Sequence, residues 1–277
     1  MLADKKIGFI GSGNMAEAII KGVIRAGVVS PKNILSSDVS EDRRRLFSDS
    51  FGIITVPNNL ELVSQAEIIV LAIKPQGIGF VLKEIAKAVD ISKLVISIAA
   101  GVTLKYIEDS LKANSRVVRV MPNTPALIGE GVTAISTGSK ATKEDLNIAR
   151  NIFDAVGKTV VIEERYMDAV TGLSGSGPAY VFLIIDALID AGVKVGLDRD
   201  TAKTLAVQTV FGSAKMILET GENPTQLRDK VTSPGGTTIA GLHVMEAGRL
   251  RAVIIDAVEA ATNRSKELRM ILFQNMT

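Results

Sequence analysis

The sequence predicts an α/β protein in which a doubly wound, mostly parallel sheet is followed by an all-helical C-terminal domain. Three observations support this prediction. Short runs rich in Ile and Val alternate with helical segments as far as about Glu163, the strand signal then disappears, and a glycine-rich turn follows the first apolar run. Strand–helix alternation is typical of parallel sheets, because parallel neighbours need crossover helices.

The strand runs of the first half are four to seven residues long. They are Lys6–Ile10, Ile34–Ser37, Ile53–Val56, Glu67–Ile73, Leu94–Ala99 and Val117–Met121. The runs at 67–73 and 94–99 are apolar on both faces, as expected of strands covered by helices on both sides. Met15–Ala26 and Gly77–Val89 are long enough for crossover helices.

Two later runs, Val132–Ser136 and Thr159–Ile162, are predicted to extend the sheet. Between them, Glu144–Val156 has helical periodicity and a glycine stop at Gly157. The sheet domain is therefore predicted over residues 1–163 and the helical domain over residues 164–277.

The second half is predicted to be helical throughout. The helices are Tyr166–Leu173, Ala179–Val193, Arg199–Glu219, Pro224–Val231 and one from Thr237 to about Leu268. Asp198 and Gly221 are typical caps for the third of these. Ala179–Val193 has a wide apolar face, too much for a thin helical layer on one protomer, so an oligomer is predicted.

The composition excludes several kinds of site and partner. The 277 residues include no cysteine and one histidine, His243, which excludes disulfides, iron–sulfur clusters and multi-histidine metal sites. We predict no metal, and a packed or interface position for His243. The net charge of +2, from 32 basic and 30 acidic residues, is too balanced to indicate a nucleic-acid or membrane partner.

The sequence also suggests where the protein works. Residues 1–6 carry an acid before a strand-like run, which is unlike a signal peptide. The longest apolar stretch, Tyr180–Leu197, is broken by Asp186, Asp190 and Lys194. That pattern favours a buried or interface helix over a membrane span, so a soluble cytoplasmic protein is expected.

The turn after the first strand fits a dinucleotide-binding, Rossmann-type fingerprint. Gly11, Gly13 and Ala16 fill the G-x-G-x-x-G/A positions, with Asn14 and Met15 opening the helix. Gly11 permits the tight turn, Gly13 lets a pyrophosphate approach the backbone, and Ala16 lets helix and strand pack closely. The strand–turn–helix context makes this motif specific.

The end of the second strand leaves the choice between NADH and NADPH open. Ser36, Ser37 and Asp38 follow the glycines by about 20 to 27 residues, where an acid would bind the ribose 2′-hydroxyl of NAD. Arginines at 43–45 follow closely and could instead accept a 2′-phosphate or form a solvated helix face.

Two further loops are predicted to leave the sheet at the same edge. They contribute Ala72, Lys74 and Pro75 after the fourth strand, and Ala99, Ala100 and Gly101 after the fifth. Ligands of open α/β sheets bind at the carboxyl ends of strands, and small residues there let a nicotinamide ring lie close.

Four segments together are specific to one family. They are Lys74–Gln76, Arg119–Pro125, Thr171–Tyr180 and Thr232–Thr238. With the stretch Leu227–Ala260, they resemble the pyrroline-5-carboxylate reductase family over nearly the whole chain. The resemblance implies reduction of L-1-pyrroline-5-carboxylate to L-proline by NADPH or NADH, the last step of proline synthesis. It also implies a C-terminal dimerisation domain, an interlocked homodimer and, often, assembly into decamers.

The resemblance further implies roles for individual residues. Thr238 would hydrogen-bond the ring nitrogen, and Ser174 would line the junction of nicotinamide and substrate. Substrate contacts would come from Gly175, Met121, Val231, Ser233, Gly235, Gly236 and Thr237. Asn59 matches a position near the adenosine ribose, and Asn123 would either bind the nicotinamide carboxamide or hold its own turn.

Residue chemistry supports the same substrate. The loop 233–237 can offer several backbone N–H groups before a helix, which is a site for a carboxylate. Related hydroxyacid dehydrogenases share Gly172, Gly175 and Gly177 but have a lysine where Val181 stands, and valine cannot take a hydroxyl proton. An imine can be protonated before hydride arrives, so it needs no such base. A reductase of another carboxylated imine or ketone, and a non-catalytic nucleotide sensor, are the alternatives.

Overall fold

The computed structural model describes residues 2–274. Met1 and residues 275–277, at the outer ends of the two predicted domains, lie outside the described residues. By its internal contacts the chain divides into two compact units, Met1–Ser176 with Ala260–Thr277, and Gly177–Glu259. The chain therefore leaves the first unit and later returns to it. The predicted boundary at residues 163 and 164 stays a prediction.

The first unit contains the sheet. Its strands are β1 (Ile7–Ile10), β2 (Ile34–Ser37), β3 (Ile54–Val56), β4 (Ile68–Leu71), β5 (Leu94–Ser97), β6 (Arg116–Met121), β7 (Gly131–Thr137) and β8 (Gly157–Val161). Within the described residues they form one eight-stranded sheet in the order β3-β2-β1-β4-β5-β6-β7-β8. Neighbours are parallel except β6 and β7, which are antiparallel.

Helices cover both faces of this sheet. They are α1 (Asn14–Arg25), α2 (Glu41–Phe51), α3 (Asn59–Gln65), α4 (Ile78–Ile85), α5 (Leu104–Ser110) and α6 (Lys143–Asp154). Residues of α1, α2 and α6 share one apolar core with β1 and β6. Residues of α3, α4 and α5 share a second core on the opposite face. Every residue of β1, β4 and β5 is buried, which explains their continuous apolar runs.

The remaining chain is helical. It forms α7 (Met167–Val170), a π-helical turn at Thr171–Gly175, α8 (Gly177–Lys194), α9 (Arg199–Thr220), α10 (Pro224–Lys230), α11 (Thr237–Ala247) and α12 (Leu250–Gln274). The predicted fold class is thereby confirmed, with a mostly parallel sheet preceding a helical region.

Two predicted helices are corrected by the structure. The helix predicted from Thr237 to Leu268 is broken between α11 and α12, where Arg249 has a φ of +58°. The break is not visible in the sequence because one glycine, Gly248, is tolerated in a helical pattern at a cost of about 1 kcal/mol. The helix predicted over Tyr166–Leu173 is shorter, because it passes into the π-helical turn.

Apolar side chains of α8 are exposed within this single chain. Phe182 is 65% exposed and Leu183 is 71% exposed. The helical stretch Glu164–Lys194 is long and apolar enough, by length and composition alone, to cross a membrane. Its most apolar 18-residue part has a mean hydropathy of 1.5, and 6% of that part is buried. The apolar surface of α8 is therefore not covered within the single chain.

Candidate functional site

The turn between β1 and α1 has the geometry of a phosphate-binding loop. Gly11 has a φ of +99°, and a Cβ there would lie 2.5 Å from the carbonyl oxygen of Ala72. A Cβ on Gly13 would meet no atom within 4 Å, so the space before the loop is open. Gly13 is the N-cap of α1 and has no side chain to cap the N–H groups of residues 14–16. The turn therefore fits a pyrophosphate.

Ser12 connects this loop to the end of β2. Ser12 is fully buried, and its N–H donates to Asp38 Oδ2 at 2.7 Å. Its hydroxyl lies 2.8 Å from the hydroxyl of Ser36. Its carbonyl oxygen accepts a hydrogen bond from Arg43 Nε at 2.6 Å. Each polar group of Ser12 is therefore held by the segment 36–43, and the loop conformation is fixed before any ligand binds.

The carboxylate of Asp38 links the glycine loop to the segment after β2. Its Oδ2 accepts the Ser12 N–H, and its Oδ1 accepts the Ser40 N–H at 2.9 Å. Both carboxylate oxygens thus accept a backbone hydrogen bond within the protein. The structure shows Asp38 as a support of the glycine loop, and its predicted contact with the ribose stays a prediction.

The neighbouring arginines differ in their partners. Arg43 pairs with Glu17 at 2.9 Å, and Arg45 pairs with Glu41 at 3.2 Å. Arg44 donates to the carbonyl oxygens of Asp38, at 2.6 Å, and Val39, at 3.3 Å. Among residues 2–274, no carboxylate forms an ion pair with Arg44. Its positive charge therefore remains available beside the end of β2.

Ser37 and Asn59 meet at the same end of β2. The Ser37 hydroxyl donates to Asn59 Oδ1 at 2.8 Å, and Asn59 Nδ2 donates to Glu84 at 2.7 Å. This places Asn59 beside the residues predicted to bind adenosine ribose, as the family resemblance implies.

The loops after β4 and β5 line one cavity. Its volume is about 300 Å³, and Pro75, Gln76, Ala100 and Gly101 form one part of its wall. Thr171, Ser176 and α12 residues Ala261, Arg264, Ser265 and Leu268 form the rest. Ala72 and Lys74 belong to the same loop as Pro75, with Lys74 exposed, and buried Ala99 precedes Ala100. The predicted nicotinamide-side loops therefore converge.

The π-helical turn lies against the end of β6. Asn123 Nδ2 donates to the carbonyl oxygen of Ser174 at 3.1 Å, and Asn123 Oδ1 accepts the Val132 N–H at 2.9 Å. A Cβ on Gly175 would lie 3.1 Å from Met121 Cε. The structure thus brings Met121, Asn123, Ser174 and Gly175 together. Asn123 therefore connects the π-helical turn to β7, and both roles predicted for its side chain stay predictions.

The second compact unit contains the predicted substrate loop. Gly235 has a φ of +67°, and the Gly236 N–H donates to the carbonyl oxygen of Ser233 at 3.1 Å. Gly236 is the N-cap of α11 and supplies no side-chain cap. Thr237 and Thr238 are the first residues of α11, and Val231, before the loop, is 65% exposed. The start of α11 is therefore an uncapped helix end that suits an anion.

His243 lies on the cavity beside this loop. The cavity, of about 640 Å³, is also lined by Thr232, Gly235, Gly236 and Ile239. His243 is exposed in the single chain, and its predicted packed or interface position stays a prediction. No group of three or more His, Asp or Glu side chains in residues 2–274 is placed to hold a metal ion.

Comparison with known proteins decides the family. Residues 164–268 match the family described as pyrroline-5-carboxylate reductase dimerisation, and residues 6–101 match NADP oxidoreductase coenzyme F420-dependent. The pyrroline-5-carboxylate reductase of Methanosarcina acetivorans is 49% identical over 267 residues, which is 96% of this chain and 99% of that protein. This chain belongs to the pyrroline-5-carboxylate reductase family.

Other relatives agree with this assignment. The pyrroline-5-carboxylate reductase of Glycine max is 47% identical over 95% of each chain. A solved pyrroline-5-carboxylate reductase from Coxiella burnetii is 42% identical with a TM-score of 0.91, covering 95% of this chain and 98% of that one. The structure of Plasmodium falciparum pyrroline carboxylate reductase with NADP bound is 36% identical with a TM-score of 0.87, covering 97% and 100%.

Pyrroline-5-carboxylate reductases form an NAD(P)-dependent oxidoreductase family that catalyses the final step of proline biosynthesis. The predicted reaction, enzyme class and cofactor class are therefore confirmed. The roles of individual residues in this pyrroline-5-carboxylate reductase chain stay predictions.

Sequence reasoning missed several residues that organise the site. Ser12 occupies a variable position of the glycine motif, and nothing in the motif requires a particular side chain there. Ser265 and Arg269 stand in a long helical pattern with no distinguishing spacing. Their contacts join residues far apart in the chain, so no local signal could have identified them.

Proposed function

We propose that this chain reduces L-1-pyrroline-5-carboxylate to L-proline with the glycine loop at α1 and the loop 233–236 at α11 as its two anion-binding elements. The observation that carries the proposal is the uncapped start of α11, which follows a loop with a left-handed glycine, Gly235. A cyclic imine with a carboxylate needs an anion site of this kind. The family membership supports the same substrate.

The substrate end of the proposal rests on the second unit. The backbone N–H groups of Gly235 and Thr237 bind the carboxylate, because that of Gly236 already donates to the carbonyl oxygen of Ser233. Ser233 and Val231 complete the loop. The hydroxyl of Thr238, on the first turn of α11, hydrogen-bonds the ring nitrogen. These contacts orient the imine carbon for hydride transfer. They do not require a base that removes a proton from the substrate.

The cofactor end rests on the first unit. Gly11, Gly13 and residues 14–16 hold the pyrophosphate, and the loops at 72–75 and 99–101 hold the nicotinamide. When bound, the nicotinamide cofactor supplies the hydride. Asn123 fixes Ser174, and Ser174 and Gly175 would lie beside the bound nicotinamide.

Selectivity at the adenosine end is assigned to Arg44. Asp38 already accepts two backbone hydrogen bonds, whereas the charge of Arg44 is unpaired among the described residues. An arginine near this position accommodates a 2′-phosphate. NADPH is therefore the expected preferred cofactor, with Ser36, Ser37 and Asn59 framing the ribose.

The catalytic contribution of the protein is mainly orientation. The imine nitrogen can be protonated before hydride transfer, and the resulting iminium carbon is electrophilic. The protein then needs to hold two reactants at the right distance and exclude water, and such placement accounts for large accelerations. This agrees with Val181 at the position where the related dehydrogenases have a lysine.

The proposed assembly is a homodimer through the helical region, with further association of dimers to a decamer. Exposed Phe182 and Leu183 of α8 support it, as does the match of residues 164–268 to a dimerisation family. Sedimentation of the full chain should give at least a dimer at micromolar concentration. Phe182→Glu should reduce the mass towards one protomer, and a monomeric wild type would contradict the proposal.

The proposed location is the cytoplasm, without a membrane or nucleic-acid partner. The balanced charge of the chain supports this, because neither an anionic surface nor nucleic acid would be strongly attracted. Burial of α8 in a dimer would remove the apolar surface that otherwise resembles a membrane span. Recovery of the native protein in a membrane fraction would overturn the proposal.

The decisive experiment follows absorbance at 340 nm with pyrroline-5-carboxylate and either NADPH or NADH. Loss of absorbance that depends on the substrate, with proline as product, is the expected result. Folded protein that binds nucleotide without turning over this imine would reject the substrate. A related imine that reacts much faster would favour another imine reductase.

A further inference from the structure

A buried carboxylate in the first compact unit links two segments that are far apart in the sequence. Asp168, in α7, is 3% exposed. Its Oδ1 accepts a hydrogen bond from the Ser265 hydroxyl at 2.8 Å, and its Oδ2 pairs with the Arg269 guanidinium at 2.9 Å. Both partners lie on α12, and Ser265 is buried as well. We call these three residues the α7–α12 clasp.

A buried charged contact such as the clasp is not what packing alone would require. A carboxylate taken out of water is unfavourable unless it is paired, and apolar residues often stabilise such a position as well or better. A charged, hydrogen-bonded contact instead selects one geometry, because both oxygens of Asp168 must meet their partners at once. Since both oxygens are engaged, Asp168 is not free to act as a general acid or base.

The clasp lies next to the predicted catalytic turn. Asp168 lies in α7, which leads directly into the π-helical turn Thr171–Gly175 that carries Ser174. Such turns inside helices are frequent at functional sites, where they re-aim a few residues. Asn123 holds the turn from the end of β6 through the Ser174 carbonyl oxygen. The clasp holds the residues on the N-terminal side of the turn, through contacts with α12.

The clasp also fixes a wall of the cavity at the nicotinamide-side loops. Ser265 lines that cavity together with Ala261 and Leu268 of α12 and the loop residues Ala100 and Gly101. The hydroxyl that meets Asp168 thus belongs to a residue of the cavity wall. Loss of the contact would let this part of α12 shift, and the cavity would change its shape.

The position of the clasp in the chain gives it a second consequence. The chain leaves the first compact unit after Ser176 and returns to it at Ala260. Asp168 precedes the departure, and Ser265 and Arg269 follow the return. The contact therefore joins the outgoing and the returning segments within the first unit.

We infer that Asp168, Ser265 and Arg269 are positioning residues for hydride transfer, which set the π-helical turn and the α12 wall of the nicotinamide-side cavity. The inference rests on the proposed function. Loss of the clasp should lower kcat and leave nucleotide affinity nearly unchanged, because the glycine loop that binds the pyrophosphate is held by its own network around Ser12. Small misplacement of reacting groups is enough for about a 100-fold loss of rate.

The test uses four variants of the full chain. Ser265→Ala removes the hydroxyl, Asp168→Asn removes the charge, and Ser265→Thr keeps a hydroxyl in the same place. Lys266→Gln is the matched control, because it removes an exposed charge and its hydrogen bond to Asn263 on the same helix, and neither residue lines the cavity. The affinity for NADPH is measured by calorimetry, and kcat is expressed per nucleotide-binding site.

The expected result is a kcat about 10-fold lower for Ser265→Ala and Asp168→Asn, with NADPH affinity within about 2-fold of wild type. Ser265→Thr should recover most of the rate, and Lys266→Gln should match wild type. A normal kcat with only a lower melting temperature would show a purely structural contact and overturn the inference. So would a loss of nucleotide affinity that accounts for the rate.

A second measurement separates the clasp from the reaction. Amide hydrogen exchange of residues 171–175 should be faster in Asp168→Asn than in wild type and unchanged in Lys266→Gln. Unchanged exchange in Asp168→Asn would reject the clasp even if the enzyme is active. Wild-type protein that fails to reduce pyrroline-5-carboxylate would reject the proposed function, and the exchange data would still decide the clasp.

Discussion

Arg43 donates from its Nε to the backbone oxygen of Ser12 at 2.6 Å, and this contact joins α2 to the phosphate-binding turn. The same guanidinium pairs with Glu17 of α1 and lies 5.0 Å from the centre of the Phe47 ring. One side chain therefore connects the loop, the helix that follows it and the helix after β2. The loop is held in shape by contacts that lie outside the glycine motif.

Arg43→Leu should lower the binding affinities for NADPH and NADH by the same factor. A hydrogen bond from a charged group contributes about 1.5–3 kcal/mol, so a loss of roughly 10-fold or more is expected. Calorimetric titration with both nucleotides measures it. Arg45→Leu, which removes an exposed ion pair with Glu41, is the control and should change neither affinity. A loss confined to NADPH would show that Arg43 acts on the 2′-phosphate instead.

Arg44→Leu should lower the binding affinity for NADPH and leave that for NADH nearly unchanged. Its guanidinium has only carbonyl partners among the described residues, so a 2′-phosphate would gain a charge-assisted contact worth about 10- to 100-fold in affinity. Affinities for 2′,5′-ADP and 5′-AMP isolate this effect from the nicotinamide. Arg44→Lys should retain part of the preference. Equal losses for both nucleotides would remove Arg44 as the selectivity residue.

Thr238→Val should lower kcat/KM for pyrroline-5-carboxylate while leaving the affinity for NADPH unchanged. The substitution preserves shape and removes a hydroxyl assigned to the ring nitrogen, which predicts a loss of about 10- to 100-fold. Steady-state kinetics and nucleotide titration measure the two effects separately. Thr204→Val is a matched control, because within residues 2–274 that hydroxyl bonds the Asp200 carbonyl oxygen of its own helix and lies outside the loop 233–238. Full activity of Thr238→Val would show that this hydroxyl does not form the proposed hydrogen bond with the ring nitrogen.

Glu164→Ala should destabilise the first unit. Glu164 pairs at 2.9 Å with Arg119, whose side chain is 3% exposed, and also accepts the Leu104 N–H at 2.6 Å. Removing one member of a buried pair leaves the other charge uncompensated and costs about 3 kcal/mol. Urea denaturation measures this loss in the free energy of unfolding.

Glu163→Ala provides the comparison for that measurement. Glu163 is adjacent in sequence, but its pair with Arg165 is exposed on both sides, so a change within about 0.5 kcal/mol is expected. Equal effects of the two substitutions would show that burial of Arg119 does not govern the energy of its pair.

Local sequence patterns determined most of the fold. The runs at 67–73 and 94–99 predicted strands covered by helices on both sides, because their apolar residues fall on both faces of the sheet. The glycine spacing predicted the turn before α1, because Gly11 must adopt a conformation that other residues avoid. The family resemblance added the substrate, through loops whose chemistry the residues by themselves left open.

Tertiary structure decided which polar groups are already engaged. Asp38 in the sequence looks like a free ribose acceptor, and only the folded chain shows it bound to the N–H groups of Ser12 and Ser40. Likewise, Asp168 and Ser265 are 97 residues apart, and no periodicity connects them. Secondary structure follows from neighbours along the chain, whereas the state of a side chain depends on neighbours in space. The sequence by itself therefore determined the reaction class and the strands, and the tertiary structure determined which residues are held in place to perform it.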